Sequence, residues 1–122
     1  MNNRYQKEVQ TKLAKGLLDM IVLQYLDSAP MHGYQLITTI KKGFGVNFGP
    51  STIYPLLGLL EKKGYIQSSW DMNHEKPRKI FSLTQDGKQA LSYTENTLLM
   101  ILQKITQEPK IQVRVDSSML RA

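Results

Sequence analysis

The chain contains no cysteine. That excludes disulfides, thiolate metal sites and a cysteine nucleophile, and it suits a reducing, cytoplasmic setting. Histidine occurs only at His32 and His74, some forty residues apart and without a carboxylate pattern around either. The ligand spacing of a metal centre is therefore missing, and no metal or other cofactor is expected. Long apolar runs are missing too. The strongest, Gly16–Leu26, is interrupted by Asp19 and Gln24 and falls short of the ~20 residues that span a bilayer, so no membrane partner is expected. The opening residues Met1–Gln10 are polar and show no basic-apolar-small signal pattern. There is no glycine-rich phosphate fingerprint, no Walker pattern and no grouping of serine, histidine and aspartate, so the sequence offers nothing for catalysis. Internal repeats and low-complexity tracts are likewise missing.

What remains is a chain of 122 residues, enough for one domain with one core, of which 41% are hydrophobic. It carries 16 Lys+Arg against 10 Asp+Glu, a net charge of +6. A basic small domain suits an acidic partner such as DNA, RNA or anionic lipid, although charge alone does not choose among them.

The hydrophobic pattern divides the chain into elements. The first segment, Met1 to Lys15, passes into Leu17, Leu18, Ile21, Val22 and Leu26. Leu13, Leu17, Met20 and Ile21 fall on one stripe at helical spacing, which predicts a helix, the most buried of the fold, ended at Asp27–Pro30. A second helix is expected over His32–Lys42, with Tyr34, Ile37 and Ile40 as its inner face and Gly43-Phe44-Gly45 as its stop. Val46-Asn47-Phe48 alternates like a very short strand. Gly49-Pro50-Ser51-Thr52 opens a third helix with proline at its first position, and Ile53, Leu56, Leu57 and Leu60 face inward until Gly64. The period then changes. Tyr65–Trp70 and Arg78–Leu83 read as two strands of a hairpin around the polar loop Asp71–Pro77. Thr84-Gln85-Asp86 caps a last helix with Leu91, Thr94, Leu98, Ile101 or Leu102, and Ile105 along one side, and Pro109 stops it. Lys110–Ala122 includes an alternating Ile111–Val115, either an extra edge strand or disordered. The fold class expected from this order is mainly α with a small β-hairpin, a winged helix-turn-helix plus a C-terminal helix. Residues 1–83 form the winged-helix part, 84–108 the last helix and 109–122 a tail.

In this arrangement the candidate recognition helix is Pro50–Lys63. Its apolar positions leave Ser51, Thr52, Tyr54, Pro55, Gly58 and Lys62 outward. Ser51 and Thr52 can bond base edges or phosphate, and a threonine methyl can touch a thymine methyl; the plainer alternative makes Thr52 a cap. Tyr54 has the length to reach a phosphate or simply packs. Pro55 removes one hydrogen bond inside the helix, fitting either a kinked helix in a groove or an inherited feature of little energetic weight. Lys76, Arg78 and Lys79 beside Asn73 and His74 give the hairpin a basic tip for phosphates or a minor groove, with Lys79 on the opposite strand face from Arg78. His32 starts or packs the second helix. Trp70 belongs either to the core or to an effector pocket between dimer helices. The stripe Leu91, Leu98, Ile101, Leu102 and Ile105 suits pairing with a second copy, since a helix after a closed hairpin has little of its own domain left to cover. A rival reading is a winged-helix module that docks on an acidic protein, or an accessory factor without DNA affinity of its own.

Five blocks carry a resemblance: Met31-His32-Gly33-Tyr34-Gln35-Leu36, Ser51-Thr52-Ile53-Tyr54-Pro55-Leu56-Leu57, Leu60-Glu61-Lys62-Lys63-Gly64-Tyr65-Ile66, Pro77-Arg78-Lys79-Ile80-Phe81 and Leu83-Thr84-Gln85-Asp86-Gly87. In this order and spacing Leu18–Leu91 resembles the PadR family of transcriptional regulators, in its shorter subgroup with one C-terminal helix. The chain departs from the family at Ser51, where glycine is usual, and at Gly58 and Leu59, where basic or polar residues are common. The resemblance implies a homodimer that binds double-stranded DNA, represses promoters and is released by a small, often aromatic, effector. It adds Tyr34 to Ser51, Thr52, Tyr54, Pro55, Lys62, Lys76, Arg78 and Lys79 as DNA-binding candidates.

Overall fold

The computed structural model describes residues 3–107. Five helices and three strands follow one another: α1 (Asn3–Gly16), α2 (Leu18–Ser28), β1 (Met31–His32), α3 (Gly33–Phe44), α4 (Pro50–Lys62), β2 (Ile66–Asp71), β3 (Arg78–Leu83) and α5 (Gln85–Gln107). The tail 110–122 and the stop at Pro109 lie outside the described residues. The chain divides into two compact units, one running to Leu91 and one from Ser92 onward.

The first unit is built around α2, which buries Leu18, Met20, Ile21, Val22, Leu23 and Leu26. Apolar residues surround this helix on most sides, and each buried aliphatic side chain contributes about 1.5–3 kcal/mol. The continuous helix expected from residue 1 to 26 is instead two. Gly16, a poor helix former, ends α1, and Leu17 takes φ −107° and ψ 10° between the helices. The stripe therefore breaks: Met20 and Ile21 are buried, but Leu13 is 64% exposed. In α1 only Ala14 is buried.

In α3 the buried set is Gly33, Leu36, Ile37 and Ile40. These are the i, i+3, i+4, i+7 positions of one helix face. Tyr34, expected on that face, lies about 100° round the helix from Gly33 and is 63% exposed. Gly45, at φ +69°, ends α3 in the left-handed conformation and returns its N–H to the Lys41 carbonyl at 2.9 Å. Val46–Phe48 forms no strand; Val46 and Phe48 are instead buried anchors of the connection to α4.

The expected hairpin is present, paired from Ile66 opposite Leu83 to Asp71 opposite Arg78, so its first strand begins after Tyr65 and takes in Asp71, which was expected in the loop. A third strand was not foreseen. Met31 pairs with Phe81 and His32 with Ile80, giving an antiparallel sheet of order β1-β3-β2. Two residues are too few to show an alternation.

The joint to α5 is tight. Thr84 Oγ1 accepts the Gly87 N–H at 3.0 Å, capping the helix, and donates to the Gly64 carbonyl at 2.6 Å. A Cβ at Gly87 would collide with the Tyr65 carbonyl oxygen, so no side chain fits at this third helical position.

Candidate nucleic-acid interface

Helix α4 starts on Gly49 with no side-chain cap, and Pro50 occupies its first turn. The Gly49 carbonyl accepts from both Thr52 and Ile53 N–H at 3.0 Å. Thr52 is therefore not the cap. Burial of Ile53, Leu57 and Leu60 sets the rotation of the helix. That rotation turns Ser51, Tyr54, Pro55, Gly58 and Lys62 outward, with Thr52 half-buried. Pro55 lies inside a helix that runs unbroken from Pro50 to Lys62.

Between the outer side of α4, the start of α3 and the hairpin lies a cleft of about 450 Å³. Tyr34, Tyr54, Arg78 and Lys79 all line it, together with His32, Gly33, Gly58, Trp70 and Pro77. Ser51, Thr52 and Pro55 continue the face of α4 toward its N-terminus, outside the cleft lining. Lys62 sits exposed at the other end of α4, and Lys76 is exposed in the loop between β2 and β3. The structure thus gathers four of the nine DNA-binding candidates into one cavity and spreads the rest around it.

Tyr54 packs as well as faces the cleft. Its ring lies where a Cβ on Gly33 would come within 2.5–2.6 Å. Glycine at 33 is thus the seat of the tyrosine, which fixes α4 against α3.

Of the three wing cations, Arg78 and Lys79 are successive residues of β3 and take different partners. The Lys79 ammonium stands 5.6 Å from the centre of the Trp70 ring, a cation–π distance. Trp70, directly opposite Lys79 in the register, is 61% exposed. It is no core residue, and it lies on the wing. Arg78 turns the other way. Its Nη1 stands 3.2 Å from His32 Nε2 and its Nη2 2.7 Å from His74 Nε2. Asp71 Oδ2 lies 3.3 Å from that same His74 nitrogen, and Asp71 Oδ1 accepts the Asn73 N–H at 3.0 Å, folding the start of the loop.

His32 also caps α3, its Nδ1 accepting the Gln35 N–H at 3.2 Å. Partial burial, and then the Arg78 and His74 charges, push its pKa below the ordinary histidine value against a smaller opposite pull from Asp71. The sequence marked His32 as a residue that starts or packs the second helix. Its place beside Arg78 follows from the β1–β3 pairing, which no local pattern announces.

The second unit presents Leu99, Met100, Ile101 and Leu102 to solvent, with Leu98 and Ile105 half-buried. Leu91, expected on the same stripe, is only 5% exposed and belongs to the core of the first unit. Among the described residues no helix is long and apolar enough to cross a membrane.

Residues 22–93 match the model of the transcriptional regulator PadR-like family. The chain is 32% identical over 92 residues to the transcriptional regulator YqjI of Escherichia coli K12, covering 74% of this chain and 43% of that protein. It is also 32% identical over 72 residues to an uncharacterized 37.1 kDa protein in transposon TN4556 of Streptomyces fradiae, covering 59% of this chain and 20% of that one. The chain thus spans less than half the length of these curated relatives. Among solved structures it superposes on a PadR family transcriptional regulator from Eggerthella lenta with a TM-score of 0.75 and 29% identity, over 87% of this chain and 96% of the other. A Streptococcus transcriptional regulator gives a TM-score of 0.66 at 33% identity, over 78% and 94%. With its winged-helix architecture and a family match over more than half its length, the chain belongs to the PadR-like family of transcriptional regulators.

Proposed function

We propose that the protein binds operator DNA as a homodimer, sequence-specifically, and acts as a repressor released by a small effector. The observation that carries this reading is the alignment of two surfaces. The outward Ser51 and Pro55 of α4, with the half-buried Thr52 between them, extend the helix face that Tyr54 and Gly58 carry into the cleft lined by Arg78 and Lys79. In a winged helix the recognition helix enters the major groove N-terminus first while flanking elements hold the backbone. Ser51 and Thr52 then stand at base edges, Tyr34 and Tyr54 beside the phosphates, and Lys76, Arg78 and Lys79 on the phosphates beyond. Lys62, at the far end of the helix, adds charge along the backbone. The uncapped start of α4 gives a phosphate oxygen a further place to bind. The second copy pairs through Leu98, Ile101, Leu102 and Ile105, and each copy brings one α4 to one half-site. Repression and release by an aromatic effector rest on the family likeness.

One observation favours a second reading, a protein-docking wing: Trp70 and Met72, 69% exposed, present large apolar surface at the hairpin end, and tryptophan is a common anchor of protein interfaces. Titrating the duplex upstream of the protein's own gene and a scrambled duplex, each at two salt concentrations, separates the two. Tighter binding to the native duplex that falls steeply with salt supports the operator reading. Equal, weak binding to both duplexes favours the docking wing.

A further inference from the structure

His32 stands between two hydrogen-bond donors. The Gln35 backbone N–H points at its Nδ1 at 3.2 Å, and the Arg78 guanidinium Nη1 lies 3.2 Å from its Nε2. A neutral imidazole carries one N–H and one lone pair, and an arginine can only donate. One tautomer therefore caps α3 and turns an N–H toward Arg78. The other accepts from Arg78 and turns an N–H toward Gln35. The two bonds exclude each other. The protonated ring makes neither, because both nitrogens then donate.

The surroundings favour the neutral ring. Its partial burial comes first, then Arg78 and His74 facing it from the wing, with Asp71 as the opposing charge. With His74 neutral and its lone pair on Nε2, Arg78 keeps an alternative acceptor there at 2.7 Å, so losing His32 does not leave the guanidinium without a partner.

We propose that His32 is a positioning residue that exchanges between holding Arg78 in the cleft and capping α3, and that a phosphate oxygen which takes Arg78 drives it to the cap. The inference rests on the DNA reading above for the source of the phosphate. A phosphate is a stronger acceptor for guanidinium than an imidazole lone pair, because the bond is charge-assisted on both sides. Once Arg78 has turned to it, the Nε2 lone pair has lost its donor and the Nδ1 lone pair still has one. Backbone capture at the wing thereby tightens the first turn of α3, which carries Tyr34 on the wall of the same cleft.

The test is nitrogen NMR of the His32 ring, with amide exchange at Gln35, at a pH well above about 6.5 so that the ring is neutral. In the free protein the ring shifts should report both tautomers. Arg78→Ala, without DNA, should move them to the Nε2–H form and slow Gln35 exchange severalfold. Adding a mixed-sequence duplex two helical turns long to the wild type should move both the same way. In His32→Asn the shorter side chain still caps but no longer reaches Arg78, so Arg78→Ala in that background should leave Gln35 exchange unchanged. Ring shifts indifferent to Arg78→Ala overturn the exchange itself, whatever the protein does with DNA. Shifts that answer Arg78→Ala but not a duplex that demonstrably binds overturn the coupling to phosphate. A duplex that does not bind at all refutes the DNA reading and with it the coupling, while the Arg78→Ala arm still decides the exchange.

Discussion

His32 shows how much one side chain does at the corner where α3, β1 and the wing meet. Because its pKa is lowered in the folded chain, its neutral form is the one that folding favours. The sign follows from linkage. Between the folded and the ordinary value the unfolded chain binds more protons, so stability rises with pH across that window. The contribution is fully present above the ordinary value of about 6.5 and is lost as pH falls through the folded value. Urea midpoints measured from pH 7.5 down to 5 should therefore decline more in the wild type than in His32→Asn, whose cap does not titrate. Equal declines would assign the loss to other groups. Tyr34 makes a different point. Its spacing to Ile37 and Ile40 places it inward on paper, but Leu36 and Gly33 complete the buried arc and push it out. A three-residue spacing is shared by neighbouring sectors of a helix, and only the whole set of positions fixes the face.

Among the elements, α4 and the hairpin carry the site, and most of their outline was legible. Gly45, Pro50 and Gly64 are stop and start signals that act locally, so the element order followed from sequence. What escaped depends on pairing at a distance: the two-residue β1, and the cleft itself, which needs His32, Tyr54 and Arg78 from three separate elements; the break at Gly16-Leu17 is local, but the apolar spacing runs across it. Within α4, Gly58 has nothing within 4 Å of where a Cβ would stand. Gly58→Ala should stabilise the fold by about 1 kcal/mol through helix propensity alone, read from denaturant unfolding. The same methyl enters the cleft, so if this face docks on DNA the affinity should fall as stability rises. For the wing, Lys76→Glu with Arg78→Glu should weaken binding to all duplexes alike and flatten the log–log salt dependence by about two. Unchanged affinity in gel-shift titrations would remove the wing from the interface.

At the scale of the whole molecule, the question is what covers α5. Beyond Leu91 the helix carries more apolar surface than a solvated helix needs, with Leu99, Met100, Ile101 and Leu102 all exposed. Leu98→Glu with Ile105→Glu, placing charge at both half-buried positions of the stripe, should yield monomers by light scattering and weaken operator binding by losing one half-site. A dimer that survives both substitutions would place the interface elsewhere. The stripe was legible because its spacing holds for several turns. The assignment of Leu91 to the core was not, because the spacing runs on while the surroundings change.

The chain contains a single tryptophan, and it lies exposed on the wing beneath a lysine ammonium. All of the indole emission therefore comes from the element expected to meet the phosphates. When DNA draws Lys79 away, or the groove wall covers Trp70, the intensity and colour of that emission should change without any attached dye. The same optical signal should stay still when a ligand leaves the wing untouched, so the protein carries its own reporter for telling contact at the wing from binding elsewhere.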